Sequence, residues 1–214
     1  MFNLKKEEYL IIYLLVIFYL VGTIAHIIDA TLPLMLLLTP YSILLTSFTG
    51  FFFDVREENK RLLLWSLITF QITLFLEIVG VATSLVFGAY TYGDTLGVKL
   101  LGVPLLIGIN WTIIILGIAD VVRQKVTNNA LAALITASLT VLFDYVMEPV
   151  AIAFDYWNWT AGSIPQQNYI DWFAIAFLFS YLFFRNNLHS ANKVPTIIVM
   201  IQFLFFLSLQ VFAI

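Results

Sequence analysis

The chain has 214 residues, of which 62% are hydrophobic and 11% charged, with a mean hydropathy of +0.98. A soluble domain carries roughly a quarter charged residues and cannot bury so much apolar surface in so short a chain, so lipid has to act as solvent. The net charge of -3, with basic residues scattered in short segments, argues against nucleic acid as a partner, and the absence of cysteine excludes disulfides, thiolate metal sites and cysteine nucleophiles.

Seven apolar stretches follow one another, at about 9–28, 33–53, 62–87, 101–122, 130–150, 171–185 and 195–214. Each reaches or nearly reaches the roughly 20 residues that cross about 30 Å of hydrocarbon. The first is too long for a signal peptide and lacks a small-residue cleavage site, so it reads as a retained span. The tight break Asp29-Ala30-Thr31-Leu32-Pro33 predicts a helical hairpin, with Pro33 suited to a helix start. In the third stretch Glu77 borders a small-residue ridge of Gly80, Ser84 and Gly88, suited to close helix contact. The fourth carries Asn110 and the fifth Asp144 and Glu148, where Pro149 is expected to end or kink the helix. The sixth is the weakest, short and flanked by Asp171 and Arg185.

The basic residues test this count. Lys5, Lys6, Arg56, Lys60, Arg61, Arg123, Lys125, Arg185 and Lys193 fall in alternate connecting segments beginning with the N-terminus, and only Lys99 falls on the other side. Such asymmetry is the positive-inside pattern. The expected fold is therefore an all-α integral membrane protein, a seven-transmembrane helix bundle with a cytoplasmic N-terminus and an extracytoplasmic C-terminus. Residues 1–214 form a single domain in this reading, with no internal repeat.

Segments 88–100 and 151–170 are rich in aromatics, glycine and amides. Each ring fits an interfacial belt, yet two such loops on one face, each with an acid, look more like a site rim. An ionisable group inside a span costs roughly 2.5–3.5 kcal/mol on insertion scales, so its presence needs a reason. By helical rise, Glu77 and Asp144 lie roughly 20 Å from the cytoplasmic ends of their spans, and Asn110 roughly 13 Å below the opposite boundary. These polar groups converge beneath the aromatic loops. Asp144 and Glu148, four residues apart, share a helix face that Ala133, Ala137 and Thr140 continue. Two carboxyls so close in low dielectric disfavour double ionisation, so the pair is expected to share a proton, as general-acid chemistry requires. Glu77 reads as a third acid in the bundle, or as a neutral side chain bonding a neighbouring helix. His26 reads as interfacial or capping, Asp54 and Asp120 as solvated beside basic residues, and Asp94, Asp155 and Asp171 as rim residues.

Two segments carry a family resemblance. One is Glu77-x-x-Gly80, then Phe87-Gly88-x-Tyr90-x-Tyr92, Leu96-Gly97-x-Lys99, Gly102-Val103-Pro104 and Asn110-Trp111. The other is Asp144-x-x-x-Glu148-Pro149, Trp157-x-Trp159, Gly162, Ile164-Pro165, Asn168 and Asp171-Trp172. They lie within a span of about 95 residues and resemble the CruF-type carotenoid 1,2-hydratases (bisanhydrobacterioruberin hydratase-like), which often carry Asp-Pro at Glu148-Pro149 and glycine at Asp171.

The resemblance implies a cofactor-independent hydro-lyase that adds water to the terminal double bond of an acyclic carotenoid end group, giving a tertiary alcohol. Its partners would be water and a carotenoid held in a bacterial or archaeal cytoplasmic membrane. Protonation of a trisubstituted alkene gives a tertiary cation, and ring faces stabilise a cation by about 0.5–2 kcal/mol each. In this reading Asp144 and Glu148 are the proton-donating pair, and Glu77 is the alternative donor or the base. Asn110 and Asn168 orient water or the acid. Tyr90, Tyr92, Trp111, Trp157 and Trp159 shape the end-group pocket, with Asp171 at its rim.

Several rivals lose ground on the residues themselves. Small membrane carotenoid cyclases carry an acid pair where this chain has Gln166-Gln167. Flavin enzymes need a G-x-G-x-x-G fingerprint, which is missing; two histidines are too few for a di-iron hydroxylase, and His26 and His189 stand far apart with no ligand spacing around them. Retinal binding needs a lysine in the last span, and 195–214 has none. A proton-coupled transporter would spread its acids along a path and carry a repeat. A non-catalytic carotenoid-binding protein would use the same rings.

Overall fold

In the computed structural model, which describes residues 6–214, seven long helices carry most of the chain. They are α1 (Lys6–Ile27), α2 (Leu32–Arg56), α3 (Lys60–Thr83), α4 (Leu105–Arg123), α5 (Asn129–Ala153), α6 (Gln166–Arg185) and α7 (Val194–Phe212). Six are long and apolar enough to cross a membrane. The remaining one, α6, opens with Gln166, Gln167, Asn168 and Asp171, and these polar residues lower its hydropathy although it spans 20 residues. The chain is an α-helical, multi-pass membrane protein.

Helix α4 occupies the centre. Ile113, Ile114, Ile115 and Leu116 are at most 1% exposed, while α1 and α2 turn wide apolar faces outward, as lipid-facing helices do. Gly117 lets the start of α7 close on α4, because a Cβ there would lie 2.5 Å from the Pro195 carbonyl oxygen. The tightest small-residue interface lies elsewhere, on α5. Ala132, Ala133, Thr136, Ala137 and Thr140 are fully buried, and Ser180 of α6 donates to the Ala133 carbonyl at 3.4 Å.

Two local expectations fail. Helix α3 ends at Thr83, where Ser84 turns left-handed (φ 58°) and its N–H closes on the Gly80 carbonyl at 2.7 Å. No Gly80-Ser84-Gly88 ridge exists, and Gly80 instead packs under the returning loop, within 2.9 Å of the Val86 carbonyl oxygen for a Cβ built there. Helix α5 does not end at Pro149 but runs on to Ala153, and Glu148 stays inside the bundle at 1% exposure.

Described basic residues other than Lys99 gather at one end of the bundle. There Arg56 pairs with Glu7, Arg61 donates to the Asn186 carbonyl at 3.0 Å, Arg123 to Asn187 Oδ1 at 2.5 Å and Lys193 to Asp120 at 2.7 Å. Lys5 lies outside the described residues. Asp54 and Asp120 are not solvated: they are 0% and 4% exposed. Asp54 accepts from Ser190 Oγ at 2.7 Å and the Ala191 N–H at 2.8 Å, which ties the α6–α7 connection to α2. Buried carboxylates survive there because each is supplied with donors.

The opposite end carries four short strands. β1 (Tyr90–Tyr92) pairs antiparallel with β4 (Trp157–Trp159), setting Tyr90 opposite Trp159 and Tyr92 opposite Trp157. β2 (Lys99–Leu100) and β3 (Val103–Pro104) form a hairpin leading into α4. The two aromatic loops are thus zipped into one cap.

Candidate active site

Three acids meet under that cap. Glu77 on α3 and Asp144 and Glu148 on α5 are 3%, 1% and 1% exposed. They line, with Phe87, Tyr90, Tyr92, Trp111, Trp157, Trp159, Asn168 and Trp172, a chamber of about 20 Å³. A volume of that size holds about one water molecule.

Strand alternation explains how the cap serves the acids. Side chains two apart on a strand share a face, so Tyr-Thr-Tyr and Trp-Asn-Trp each turn two rings inward and one polar residue outward. Both phenols donate to Glu77 Oε2, Tyr92 at 2.7 Å. Burial pushes both tyrosine hydroxyls well above their ordinary range, and the Glu77 carboxylate pushes them further, so they remain donors at any physiological pH. Both indole N–H groups donate to Glu148 Oε2, Trp157 at 2.9 Å and Trp159 at 3.0 Å. Asn168, in the first turn of α6, bridges the pair by donating to Asp144 Oδ2 at 2.8 Å and Glu148 Oε1 at 3.2 Å. Glu148 therefore receives three N–H donors, Glu77 two O–H donors and Asp144 one N–H donor.

Aromatic faces wall the chamber. Trp111 stacks on Trp172 at 3.7 Å, Trp172 on Phe87 at 4.9 Å, and Tyr90 lies against Trp159 at 5.0 Å. A ring face left free toward the cavity attracts a cation placed against it.

A second, larger cavity of about 200 Å³ adjoins the chamber and shares Ile107, Trp111 and Trp157 with it. Its lining comes mainly from α1, α2, α4 and α7 and is largely apolar. Phe18, Val21 and Leu38 both line it and are 38%, 59% and 39% exposed, so it opens sideways between α1 and α2 toward lipid.

Of the residues singled out in the sequence, Glu77, Asp144, Glu148, Tyr90, Tyr92, Trp111, Trp157, Trp159 and Asn168 come together. Asn110 does not join them; it faces the larger cavity and accepts from Gln202 Nε2 at 3.4 Å. Asp171 lies outside the chamber and holds its wall, accepting the Phe87 N–H at 2.7 Å. His26, in the last turn of α1, is buried at the edge of the larger cavity. Phe87, Trp172 and Ile107 were not foreseen as site residues, although the first two stand in the resembling motifs. Among the described residues no group of three or more His, Asp or Glu side chains is placed to hold a metal ion.

A family described as "Carotenoid biosynthesis protein" matches residues 34–214. A protein named bisanhydrobacterioruberin hydratase, from Haloarcula japonica, is 29% identical over 173 residues, covering 73% of this chain and 58% of that protein. The chain thus spans a little over half the length of that relative. No solved structure matches. The resemblance to CruF-type hydratases read from the two motif segments is met by both matches, and the chain belongs to the carotenoid biosynthesis protein family.

Proposed function

We propose that this protein hydrates the terminal carbon–carbon double bond of an acyclic carotenoid end group, giving a tertiary alcohol without net redox change. The observation that carries this reading is a one-water chamber holding three buried acids inside a ring-walled box, joined to an apolar cavity open to lipid. The end group enters sideways from the bilayer and passes Trp111 and Trp157. Asp144, which receives the fewest hydrogen-bond donors, holds the proton; donors aimed at a carboxylate favour its charged form, and Glu148 has three of them.

Proton transfer from Asp144 to the less substituted alkene carbon breaks the π bond and leaves a tertiary cation where the two cavities meet, against the rings of Trp111 and Trp157. The chamber water adds its oxygen to that carbon. Glu77, whose phenol contacts all fall on Oε2, takes the water's spare proton on Oε1, which restores the proton count shared by the three acids. Glu148 stays anionic throughout and stabilises the cation through space.

In the same reading all seven helices cross the bilayer, with the basic end of the bundle in the cytoplasm and the acid chamber beneath the opposite face. The membrane is the cytoplasmic membrane of a bacterium or archaeon.

Expression in a host that accumulates an acyclic carotenoid tests the reaction. A mass gain of one water per processed end, lost in Asp144→Asn, is the expected result. Unchanged mass with a shifted absorption spectrum would mean ring closure instead. Unaltered pigment with confirmed expression would reduce the protein to a pigment binder.

A further inference from the structure

The larger cavity holds two buried polar atoms without a partner, His26 Nε2 and Gln202 Oε1. Their side chains are 8% and 5% exposed. Both atoms are acceptors. His26 Nδ1 lies 2.6 Å from the Gly22 carbonyl oxygen, which can only accept, so the ring proton sits on Nδ1 and the neutral ring offers a lone pair at Nε2. Gln202 spends its Nε2 hydrogens on Tyr19 Oη at 3.1 Å and Asn110 Oδ1 at 3.4 Å, leaving the carbonyl oxygen free. A buried acceptor left empty costs free energy that a hydrocarbon ligand cannot return, because it has no polar hydrogen to give. A largely apolar cavity with two buried acceptors left free matches a ligand that is mostly hydrocarbon and carries an alcohol.

We propose that His26 and Gln202 form a hydroxyl-reading subsite, at which an isoprenoid chain in the cavity donates the O–H of an alcohol. The chain's identity as a carotenoid rests on the hydratase reading above; the preference for an alcohol rests on the cavity. The hydroxyl has two sources. If it is the tertiary alcohol made in the acid chamber, the subsite holds product as it withdraws past Trp111 and Trp157, and it favours hydration over the reverse elimination. If it is an alcohol already on the incoming chain, the subsite selects substrate before the alkene reaches Asp144.

The test is binding, without turnover. The full chain in lipid nanodiscs is titrated with three acyclic polyenes of equal length, read by quenching of tryptophan fluorescence. One is lycopene, one its derivative hydrated at both ends, and one carries a mid-chain alcohol with its terminal alkenes intact. At least one alcohol should bind about tenfold more tightly than lycopene, the return on one or two recovered hydrogen bonds. That ratio should fall toward one in Gln202→Met and in His26→Phe. Preference for the hydrated ends identifies product as the ligand, and preference for the alkene-ended alcohol identifies substrate. Equal affinity for all three, or a preference that survives both substitutions, overturns the subsite and leaves water on these acceptors. The substitutions lie on different helices, so if one variant fails to fold the other decides. Pigment hydration is scored separately on the unsubstituted chain. Its absence beside a retained alcohol preference would sink the hydratase reading and leave the subsite standing.

Discussion

Asp144 and Glu148 sit one helical turn apart with equal burial, yet their surroundings divide their work. Glu148 is gripped by two indoles and an amide, whereas Asp144 meets only the amide of Asn168. The i, i+4 spacing was legible in the sequence and placed both carboxyls on one face. Their different donors were not, because Trp157 and Trp159 return from a strand 9 and 11 residues downstream of Glu148 and no local pattern aims them. The consequence is measurable. Trp157→Phe and Trp159→Phe keep a ring but remove an N–H bonded to a charged acceptor, worth about 1.5–3 kcal/mol. Each should slow hydration roughly 10- to 100-fold, since 1.4 kcal/mol is about one decade. Asp144→Asn should cost about 10²- to 10⁴-fold, the usual range for a general acid. Single-turnover hydration in membrane vesicles compares the three, and a tryptophan variant that outpaces wild type would contradict an anionic Glu148.

The elements most visible in the sequence were the helices, and the least visible were β1 and β4. Aromatic enrichment marked their loops as a rim, and the Tyr-Thr-Tyr and Trp-Asn-Trp alternation was a period-two signal, but each run is only three residues long. Strands so short acquire their pairing from the helix ends that present them. Helix α3 contributes by stopping at Thr83, with Ser84 left-handed, so that the chain folds back over Gly80 and brings Tyr90 and Tyr92 onto Glu77. The pairing register makes a prediction. Thr91 lies opposite Asn158, both point away from the chamber, and the chain has no cysteine of its own. A Thr91→Cys, Asn158→Cys double variant should form a disulfide across the strands on mild oxidation, seen as a reductant-sensitive change in electrophoretic mobility after cleavage between the two positions. Hydration that persists in the cross-linked protein would show that the cap stays closed during turnover. Its loss, restored on reduction, would make the cap a moving lid.

The molecule as a whole places its described basic residues other than Lys99 at one end and its acid chamber near the other. At the basic end, Asp54 and Asp120 draw the α6–α7 connection inward, and both read as solvated in the sequence because, apart from Asn59 beside Asp54, donors such as Ser190, Ala191 and Lys193 lie some 70 to 140 residues away. Helix α6 is the least apolar of the seven, and it brings Asn168 to the acids, so its passage across the bilayer matters most to the proposed topology. Ser163 and His189, both exposed, flank it. Single cysteines at these two positions should react with a membrane-impermeant maleimide from opposite faces, Ser163→Cys from outside and His189→Cys only after permeabilisation. Labelling of both from one face would remove α6 from the spans and reverse the side on which α7 begins.

Composition and the placement of ten basic residues were sufficient, without coordinates, to define an α-helical multi-pass membrane protein, since an apolar chain in lipid must satisfy its backbone internally. The buried acids and rings were also apparent, because ionisable groups are costly in hydrocarbon and stand out where they persist. The tertiary structure decided which donors each acid receives, that the chamber has room for one water, and that Asn110 belongs with Gln202 in a neighbouring cavity. Those features depend on contacts of α3, α5, α6 and a strand pair, and of α4 with α7, between residues far apart in the chain, and hydrophobic period carries no information about them.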